Sequence, residues 1–404
     1  MYGCGARREQ RWVLLAGATI VMAFIAIYQY SWSLFALGLS VDLKWPMTTV
    51  QLAFTLYTYV ATFVQPLSGY FADKFGPKKL SVLAGLLAAT GFLLSSRVTS
   101  PLELYVYYTI GSVGVGVLYG VSTAIAVKWF SDRRGMAAGI VTFGFGSGTA
   151  IFNPLIQSWI INYGVRCAFL YVGALMLAFI LPFALLYRYP EIDSQGDWRA
   201  ERGDNVNWKW YEMLKTWQWW LIYISFIAMS AIALLFGAQI APMAEANNMP
   251  RDMLSLVLIA YPIANGFSRV LGGWISDYIG RQLTATLFYA LSGVSMIALG
   301  LTASNPLCFA LFVVLAMLFA GSVFAFNPAI VGDFYGSKYL TTNYGITYTA
   351  KSWGGLVSGY VTAYLLMLQK SYTSIVMALG AGALAAALLI NPFLLKKPGK
   401  PTLT

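Results

Sequence analysis

Apolar runs of about 20 residues, the length a helix needs to cross roughly 30 Å of hydrocarbon, recur along this whole 404-residue chain. The runs are continuous rather than alternating, so they are predicted to be helices and not the strands of a barrel. Only 10% of the residues are charged and 59% are hydrophobic, which leaves too little polar surface for a soluble protein of this size. The predicted solvent of the chain is therefore the lipid bilayer.

Charged and turn-forming breaks divide the chain into twelve predicted spans, α1 to α12. The first span is too long for a signal-peptide core and lacks a small-residue cleavage site, so it is kept as a helix. The spans are predicted near residues 12–38, 48–72, 80–97, 102–128, 135–162, 166–188, 217–243, 252–275, 283–303, 306–331, 340–367 and 371–395.

The distribution of basic residues predicts the orientation of the spans. Of the 26 Lys and Arg residues, 19 lie on the side of both termini, five lie on the opposite side and two lie within helices. This is the positive-inside bias of membrane proteins. The net charge of +11 therefore reflects topology rather than a nucleic-acid partner. We expect a multi-pass protein of the cell membrane with cytoplasmic N and C termini.

A repeated eight-residue string divides the chain into two halves. The strings are G-Y-F-A-D-K-F-G at residues 69–76 and G-W-I-S-D-Y-I-G at residues 273–280, an offset of 204. Repetition on this scale predicts two bundles related by an axis along the membrane normal, with a site between them. The expected architecture is an all-α membrane protein of twelve transmembrane helices in two six-helix bundles with pseudo-two-fold symmetry. The bundles are predicted at 1–187 and 217–404, and a cytoplasmic linker at 188–216.

The repeated string resembles the G-x-x-x-D-x-x-G signature of the major facilitator superfamily. That resemblance implies a conformational latch that joins helix ends at the cytoplasmic side and stabilises the outward-facing state. The family's first Arg is replaced here by Pro77. The residues that carry the latch are Gly69, Asp73, Gly76, Asp277, Gly280 and Arg281. Further glycines stand four apart, a spacing that lets helices pack closely: Gly116 and Gly120, Gly144 and Gly148, and Gly355 and Gly359.

Two cations are predicted inside the membrane, Arg269 in α8 and Lys351 in α11. Arg269 stands eight residues before Asp277 and Lys351 eight residues after Asn343, so both lie about 12 Å from the cytoplasmic helix ends. All 15 carboxylates fall in loops, the linker, the termini or helix ends, so a buried ion pair fails for lack of a partner. Lys351 is long enough to snorkel to the interface, unlike the stiffer Arg269. Charges at this depth usually face a cavity and have a function.

An anionic substrate would balance these two charges, because a guanidinium binds a carboxylate through two parallel hydrogen bonds. Tyr261, Asn265 and Arg269 are spaced by four and share a face of α8, and Tyr348 shares a face of α11 with Lys351. The predicted substrate-binding residues are Arg269, Lys351, Asn265, Tyr119, Tyr348, Gln29, Tyr30, Phe145 and Phe324.

The strings around these positions resemble the oxalate–formate antiporter family, which is related to the monocarboxylate transporters. They include Q-Y-S-W at 29–32, G-V-G-V-L-Y-G at 114–120, and Arg269 with its spacing to Asp277. The resemblance implies that Arg269 and Lys351 bind carboxylate and that Gln29, Tyr30, Tyr119 and Tyr348 line the pocket.

Several positions depart from the oxalate carriers. Phe145 stands where a Tyr is expected, and Tyr348 stands for a Trp. Asn265-x-x-x-Arg269 replaces the Asp-x-x-x-Arg of animal monocarboxylate carriers. These differences favour lactate-like or pyruvate-like monoanions, with oxalate–formate type exchange as the alternative. A monoanion leaves one positive charge unbalanced, so Lys351 is the candidate for proton coupling, taking up a proton as the anion binds.

The sequence excludes several other classes. It contains no His, no metal-ligand cluster and no paired acids, so we expect no enzyme activity, no metal and no cofactor. Cys4, Cys167 and Cys308 have neither metal nor redox spacing. A channel is disfavoured by the two-fold repeat, and a receptor or scaffold leaves the buried cations unexplained. The expected partners are a small carboxylate, protons and the lipid bilayer, and the chain is expected to be a monomer.

Overall fold

The computed structural model describes residues 2–130, 134–190, 207–336, 339–369 and 371–399. The predicted linker, 188–216, falls largely outside the described residues, because 191–206 are not among them. In α2 the side-chain surroundings of Gly69 and Asp73 also lie outside the description, so this copy of the predicted latch stays a prediction.

The first half of the chain forms six membrane helices. α1 is interrupted twice, at Ala26 and Ser31. α5 is interrupted at Gly148 and ends at Gly164, whose backbone is non-helical, and α6 follows directly after it. The observed segments are Tyr2–Ile25, Ile27–Tyr30 and Trp32–Asp42 for α1, Met47–Phe75 for α2, Pro77–Ser95 for α3, Pro101–Trp129 for α4, Arg134–Ser147 followed by the start of Thr149–Leu186 for α5, and the remainder of Thr149–Leu186 for α6.

The second half also forms six membrane helices, preceded by a short helix, Trp210–Met213. α10 is interrupted at Gly321, and α11 contains one π-helical turn. The observed segments are Trp217–Ala246 for α7, Arg251–Ile279 for α8, Arg281–Thr302 for α9, Pro306–Ala320 and Val323–Tyr335 for α10, Leu340–Tyr348, Ala350–Leu356, Val357–Val361 and Thr362–Gln369 for α11, and Tyr372–Ile390 for α12.

Most of these bounds lie within a few residues of the predicted spans. The exception is α1, which begins at Tyr2, ten residues before the predicted start at 12. The largest difference at the chain's end is in α12, which stops before Asn391 instead of continuing to 395. Within the described residues, ten helical stretches are long and apolar enough to cross a membrane. One of them, Met136–Leu186, contains both α5 and α6, and α11 is broken too often to be included in the ten. The total of twelve membrane helices is therefore as predicted.

The two halves pack as two bundles. Within the first, α3 packs on α4 and α6, and α2 packs on α4; within the second, α9 packs on α12 and α10, and α8 packs on α10. The bundles meet where α5 lies against α8, and where α2 and α1 lie against α11 and α7. The site between the bundles is therefore bordered by helices that come from both halves of the repeat.

The repeated string ends in the same backbone turn in each bundle. Gly76 separates α2 from α3 with φ 82° and ψ 144°, and Gly280 separates α8 from α9 with φ 88° and ψ 148°. Only glycine adopts this positive φ without a steric penalty from a β-carbon. The matching dihedral angles of the two turns are the structural counterpart of the sequence repeat.

The helix connections define two sides of the molecule. We call the side that carries the α6–α7 connection the linker side, and the opposite side the far side. The predicted close-packing glycines lie against neighbouring helices: a β-carbon on Gly116 would approach the Ala61 carbonyl of α2 to 2.6 Å, and one on Gly144 would approach the Thr19 carbonyl of α1 to 2.7 Å. Gly355 of α11 packs across the interface against Thr58 of α2. The prediction of close helix packing at these glycines is confirmed.

Candidate anion-binding site

Arg269 lies in the middle of α8 and faces the opposite bundle. Only 6% of its surface is exposed. Its Nη1 donates to the backbone carbonyl of Thr142 in α5 at 3.3 Å, and its Nη2 donates to the hydroxyl of Tyr30 in α1 at 3.5 Å. Both contacts come from the first bundle, so this side chain bridges the interface. Its Nε is buried and makes no hydrogen bond with the described residues, which leaves donor capacity for a ligand.

Lys351 lies on α11, one turn after Tyr348, and is also almost fully buried, with 4% of its surface exposed. Its Nζ lies 5.5 Å from the ring centroid of Tyr348. Within the described part of the chain, no carboxylate lies within 4.0 Å of Lys351 or of Arg269. Two unbalanced buried charges are costly unless a counter-ion joins them.

Two phenyl rings lie beside both cations. The Arg269 Cζ is 5.8 Å from the ring centroid of Phe145 in α5 and 5.2 Å from that of Phe324 in α10. The Lys351 Nζ is 5.9 Å from each of the same two centroids. Aromatic faces attract cations at these distances. The rings therefore hold the two positive charges close together while adding no negative charge that would neutralise them.

Tyrosines from both bundles complete the wall. Tyr30 and Tyr119 pack on Phe145, with centroids 5.7 Å and 4.9 Å apart. Tyr348 packs on Phe324 at 6.4 Å. Tyr119 also interacts with the Arg269 guanidinium. The hydroxyls of these residues can donate hydrogen bonds beside the two cations, which an acceptor-only carboxylate would require.

The two predicted amides, Gln29 and Asn265, keep unused hydrogen-bonding atoms. The Gln29 Oε1 accepts from the Tyr57 hydroxyl at 3.5 Å, and the Asn265 Nδ2 donates to the Gly146 carbonyl at 3.2 Å. The Gln29 Nε2 and the Asn265 Oδ1 are buried without a hydrogen bond to the described residues. A buried donor and a buried acceptor left free in this way are costly, and a polar ligand would satisfy them.

The structure thus brings together all nine predicted binding residues. Gln29 and Tyr30 stand at the break in α1, where the helix is interrupted on both sides, at Ala26 and Ser31. Sequence reasoning did not anticipate that Phe145 and Phe324 would each contact both cations. The signal was weak, because a phenylalanine in an apolar span usually faces lipid or the core.

The second copy of the predicted latch has a partner that the sequence did not single out. Arg281, at the start of α9, forms a salt bridge with Asp333 near the end of α10, with Nε and Oδ2 3.2 Å apart. Asp277 is exposed and Gly280 forms the turn. Within the described residues, no group of three His, Cys, Asp or Glu side chains is arranged to hold a metal ion.

Twelve membrane helices in two related bundles, with two buried cations between them, are typical of a secondary transporter. The chain belongs to the Major Facilitator Superfamily, whose sequence model matches residues 17–239 and 221–404. This membership confirms the resemblance found in the repeated string.

Relatives with descriptive names cover most of the chain. An oxalate:formate antiporter of Oxalobacter formigenes is 31% identical over 91% of this chain and 90% of its own length. Monocarboxylate transporter 13 of Rattus norvegicus is 25% identical, covering 81% of this chain and 76% of its own length. A probable sulfoacetate transporter of Cupriavidus necator is 26% identical and covers 94% of both chains.

A solved structure supports the fold. The nucleoside transporter NupG, solved as a point mutant, superposes with a TM-score of 0.68 over 93% of this chain and 98% of its own. The sequence identity is 15%, so this similarity supports the fold alone.

Proposed function

We propose that this transporter carries small organic monoanions of the lactate or pyruvate type, together with a proton, through a site exposed alternately to the two sides of the cell membrane. The observation that carries the proposal is the pair of buried cations, Arg269 and Lys351, without a carboxylate partner among the described residues. A carboxylate placed between them would gain charge-assisted hydrogen bonds and remove the cost of two unbalanced charges. The names of the relatives, which refer to oxalate, formate, monocarboxylates and sulfoacetate, are consistent with an anion.

The body of the substrate would lie against the two phenyl rings. Phe145 and Phe324 present apolar faces at 5.2–5.9 Å from the cations, which suits an anion with a short apolar tail. The free Asn265 Oδ1 and Gln29 Nε2 would pair with a hydroxyl or keto group next to the carboxylate. These features support a lactate-like or pyruvate-like substrate over a dianion.

Lys351 is the proposed proton carrier. The guanidinium of Arg269 stays protonated, whereas a lysine ammonium can release its proton. A monoanion balances one of the two charges, so a proton that binds Lys351 with the anion and leaves with it would couple the two movements. The linker side is proposed to face the cytoplasm, which follows from the positive-inside bias, and the transporter is proposed to act as a monomer.

Proteoliposomes that contain a pH-sensitive dye test this proposal. A pulse of external lactate or pyruvate is expected to acidify the lumen at the rate of labelled-substrate uptake. Lys351→Arg keeps the charge but cannot release a proton, so it is expected to lose net acidifying uptake by at least about tenfold while retaining exchange of preloaded substrate. Lys351→Gln should lose both activities. Net uptake by the unaltered protein without any lumenal pH change contradicts proton symport.

The alternative is anion exchange of the oxalate–formate type. It is favoured by the 31% identity to the oxalate:formate antiporter and by the fact that a dianion would neutralise both cations at once. Exchange predicts uptake of labelled oxalate only into vesicles preloaded with formate or oxalate, without a pH change. The same vesicles loaded with lactate distinguish the two proposals.

A further inference from the structure

The far side of the molecule is closed by polar contacts between the two bundles. The Gln51 Nε2 of α2 donates to the Ala238 carbonyl of α7 at 2.6 Å, and the Asn153 Nδ2 of α5 donates to the Leu258 carbonyl of α8 at 2.9 Å. The Tyr261 hydroxyl donates to the backbone carbonyl of Tyr30. These contacts lie beyond the two cations on the way to the far side, so this conformation seals the site from that direction.

One of the closing contacts uses the π-helical turn of α11, Val357–Val361. A π turn contains one extra residue, so the usual hydrogen bonds of an α-helix are lost there. Within this turn, the backbone N–H of Tyr360 donates to the hydroxyl of Thr55 in α2, at 3.2 Å. The π turn of α11, in the second bundle, is therefore hydrogen-bonded to a side chain of the first bundle.

Side chains also hold the carbonyl groups of the π turn. The Thr362 hydroxyl donates to the Val357 carbonyl at 2.7 Å. The Gln239 Nε2 of α7 donates to the carbonyls of Ser358 and Gly359 at 3.2 Å and 3.3 Å. Three successive carbonyls thus have side-chain donors, which offsets the cost of the lost helical bonds. The π turn is consequently a supported feature that the surrounding residues specify.

The close fit of α11 against α2 depends on two glycines, one within this turn and one just before it. A β-carbon on Gly359 would lie 2.9 Å from the Thr55 Oγ1, and one on Gly355 would overlap the Thr58 Oγ1. The backbone of α11 therefore reaches α2 directly, and the Tyr360 N–H contacts Thr55 only while the two bundles are together on the far side.

The π turn begins six residues after Lys351, less than two helical turns along the same helix. Removing the extra residue from the hydrogen-bond pattern would rotate the two parts of α11 relative to each other by about 100°, the angle per residue of an α-helix. Such a rotation would change the direction of Lys351 relative to the part of α11 that closes the far side.

We propose that the π turn of α11 couples closure of the far side to the position of Lys351. Thr55 on α2 stabilises the turn when the bundles meet. When they separate, the Tyr360 N–H loses its partner and the segment returns to α-helical bonding, which turns Lys351 relative to the opened entrance. Thr55 and Gln239 are then positioning residues that act through the backbone of α11. Their proposed role does not depend on which substrate is carried.

Spin-label distance measurements on the full chain in nanodiscs, without substrate, test this coupling. Labels at Leu102→Cys in α4 and Leu307→Cys in α10 report on the far side, because both residues are 70% exposed and belong to different bundles. The three native cysteines are replaced by serine. Thr55→Val removes only the acceptor and is expected to raise the ratio of long to short distances about fivefold, the effect of one net hydrogen bond.

Three further variants control the result. Thr55→Ser keeps the hydroxyl and should match the unaltered protein. Thr58 lies one turn after Thr55 on the same face of α2, and its hydroxyl donates to the Thr55 carbonyl within that helix at 2.8 Å. Thr58→Val should therefore leave the distances between the spin labels unchanged. Gln239→Met removes the two hydrogen bonds that the Gln239 Nε2 donates to the π turn, and it should favour long distances even with Thr55 present. The proposal is overturned if Thr55→Val matches Thr58→Val, or if Gln239→Met leaves the distances unchanged.

Discussion

The two bundles share a backbone design but contribute different chemistry to the site. Arg269 stands eight residues before Asp277 in α8, whereas Gln65 stands eight residues before Asp73 in α2. Both cations, Arg269 and Lys351, belong to the second bundle. The first bundle supplies Gln29, Tyr30, Tyr119 and Phe145, none of which is charged.

This asymmetry has a physical consequence for how the bundles hold together. The polar contacts of Arg269 with the first bundle are to neutral groups, a backbone carbonyl and tyrosine hydroxyls. Neutral acceptors orient a guanidinium without cancelling its charge, so the proposed site would still attract an anion. A carboxylate in the first bundle would instead form a buried ion pair between the bundles, which is costly to break.

Neutralising the charge of the second bundle should have the largest effect. Arg269→Gln is expected to lower uptake of a small carboxylate at least about 30-fold, because one buried charged partner is worth roughly 2 kcal/mol or more. The unliganded variant should melt at the same or a higher temperature, since an unbalanced buried charge is removed. Labelled-substrate uptake and thermal unfolding are measured on the same preparations.

The matched control is Lys396→Gln, which removes an exposed cation near the end of the chain. Its uptake should equal that of the unaltered protein. If Arg269→Gln transports the carboxylate as well as this control, the charge that the second bundle contributes is not needed for substrate transport.

The neutral aromatic contribution should have an intermediate effect. Phe145→Leu in the first bundle and Phe324→Leu in the second each remove a ring face beside both cations while keeping an apolar side chain. Each is expected to weaken anion binding about 3- to 30-fold, the range of a buried cation–π contact. Titration of tryptophan fluorescence with the anion gives the affinity.

Phe319→Leu is the control for this pair. Phe319 packs against Phe288, with centroids 5.4 Å apart, and lies in the same helix as Phe324. Its substitution should leave the affinity unchanged. Equal losses in all three variants would mean that the rings act by general packing rather than by facing the cations.

The smallest effect is expected at the repeated turn. Arg281 is paired with Asp333, and their side chains are 39% and 46% exposed, whereas Pro77 occupies the position after Gly76 in the first copy. A double-mutant cycle with Arg281→Ala and Asp333→Ala should give a coupling of about 0.2–1 kcal/mol that falls at high salt. A coupling that is larger and independent of salt would show that the second copy is a stronger structural contact than its exposure indicates.

Much of the architecture follows from the sequence alone. Continuous apolar runs predicted the spans because helix rise and bilayer thickness fix their length, and Gly76 and Gly280 marked the repeat because their backbone needs a positive φ. Helix rise predicted that Arg269 and Lys351 lie far from the helix ends, and the absence of acids predicted near them is the basis for proposing an anion as substrate.

Contacts between distant parts of the chain could not be obtained in this way. Gln51 closes the far side by reaching Ala238, a residue 187 positions away, and no local pattern indicates that pairing. The π turn at Val357–Val361 likewise depends on donors and acceptors from Thr55 and Gln239, which lie in other helices. The sequence also contained no indication that Asp333 pairs with Arg281, because the contact depends on how α9 packs against α10.

The most direct test of the central claim is ligand-dependent stabilisation of the purified protein that carries both Arg269→Gln and Lys351→Gln. A ligand at 100 times its dissociation constant stabilises a folded protein by about 2.7 kcal/mol, which thermal unfolding detects as a shift in Tm. We expect lactate, pyruvate or oxalate to raise the Tm of the unaltered protein and to leave that of the double variant unchanged. An equal rise in both proteins would contradict an anion site built on these two cations.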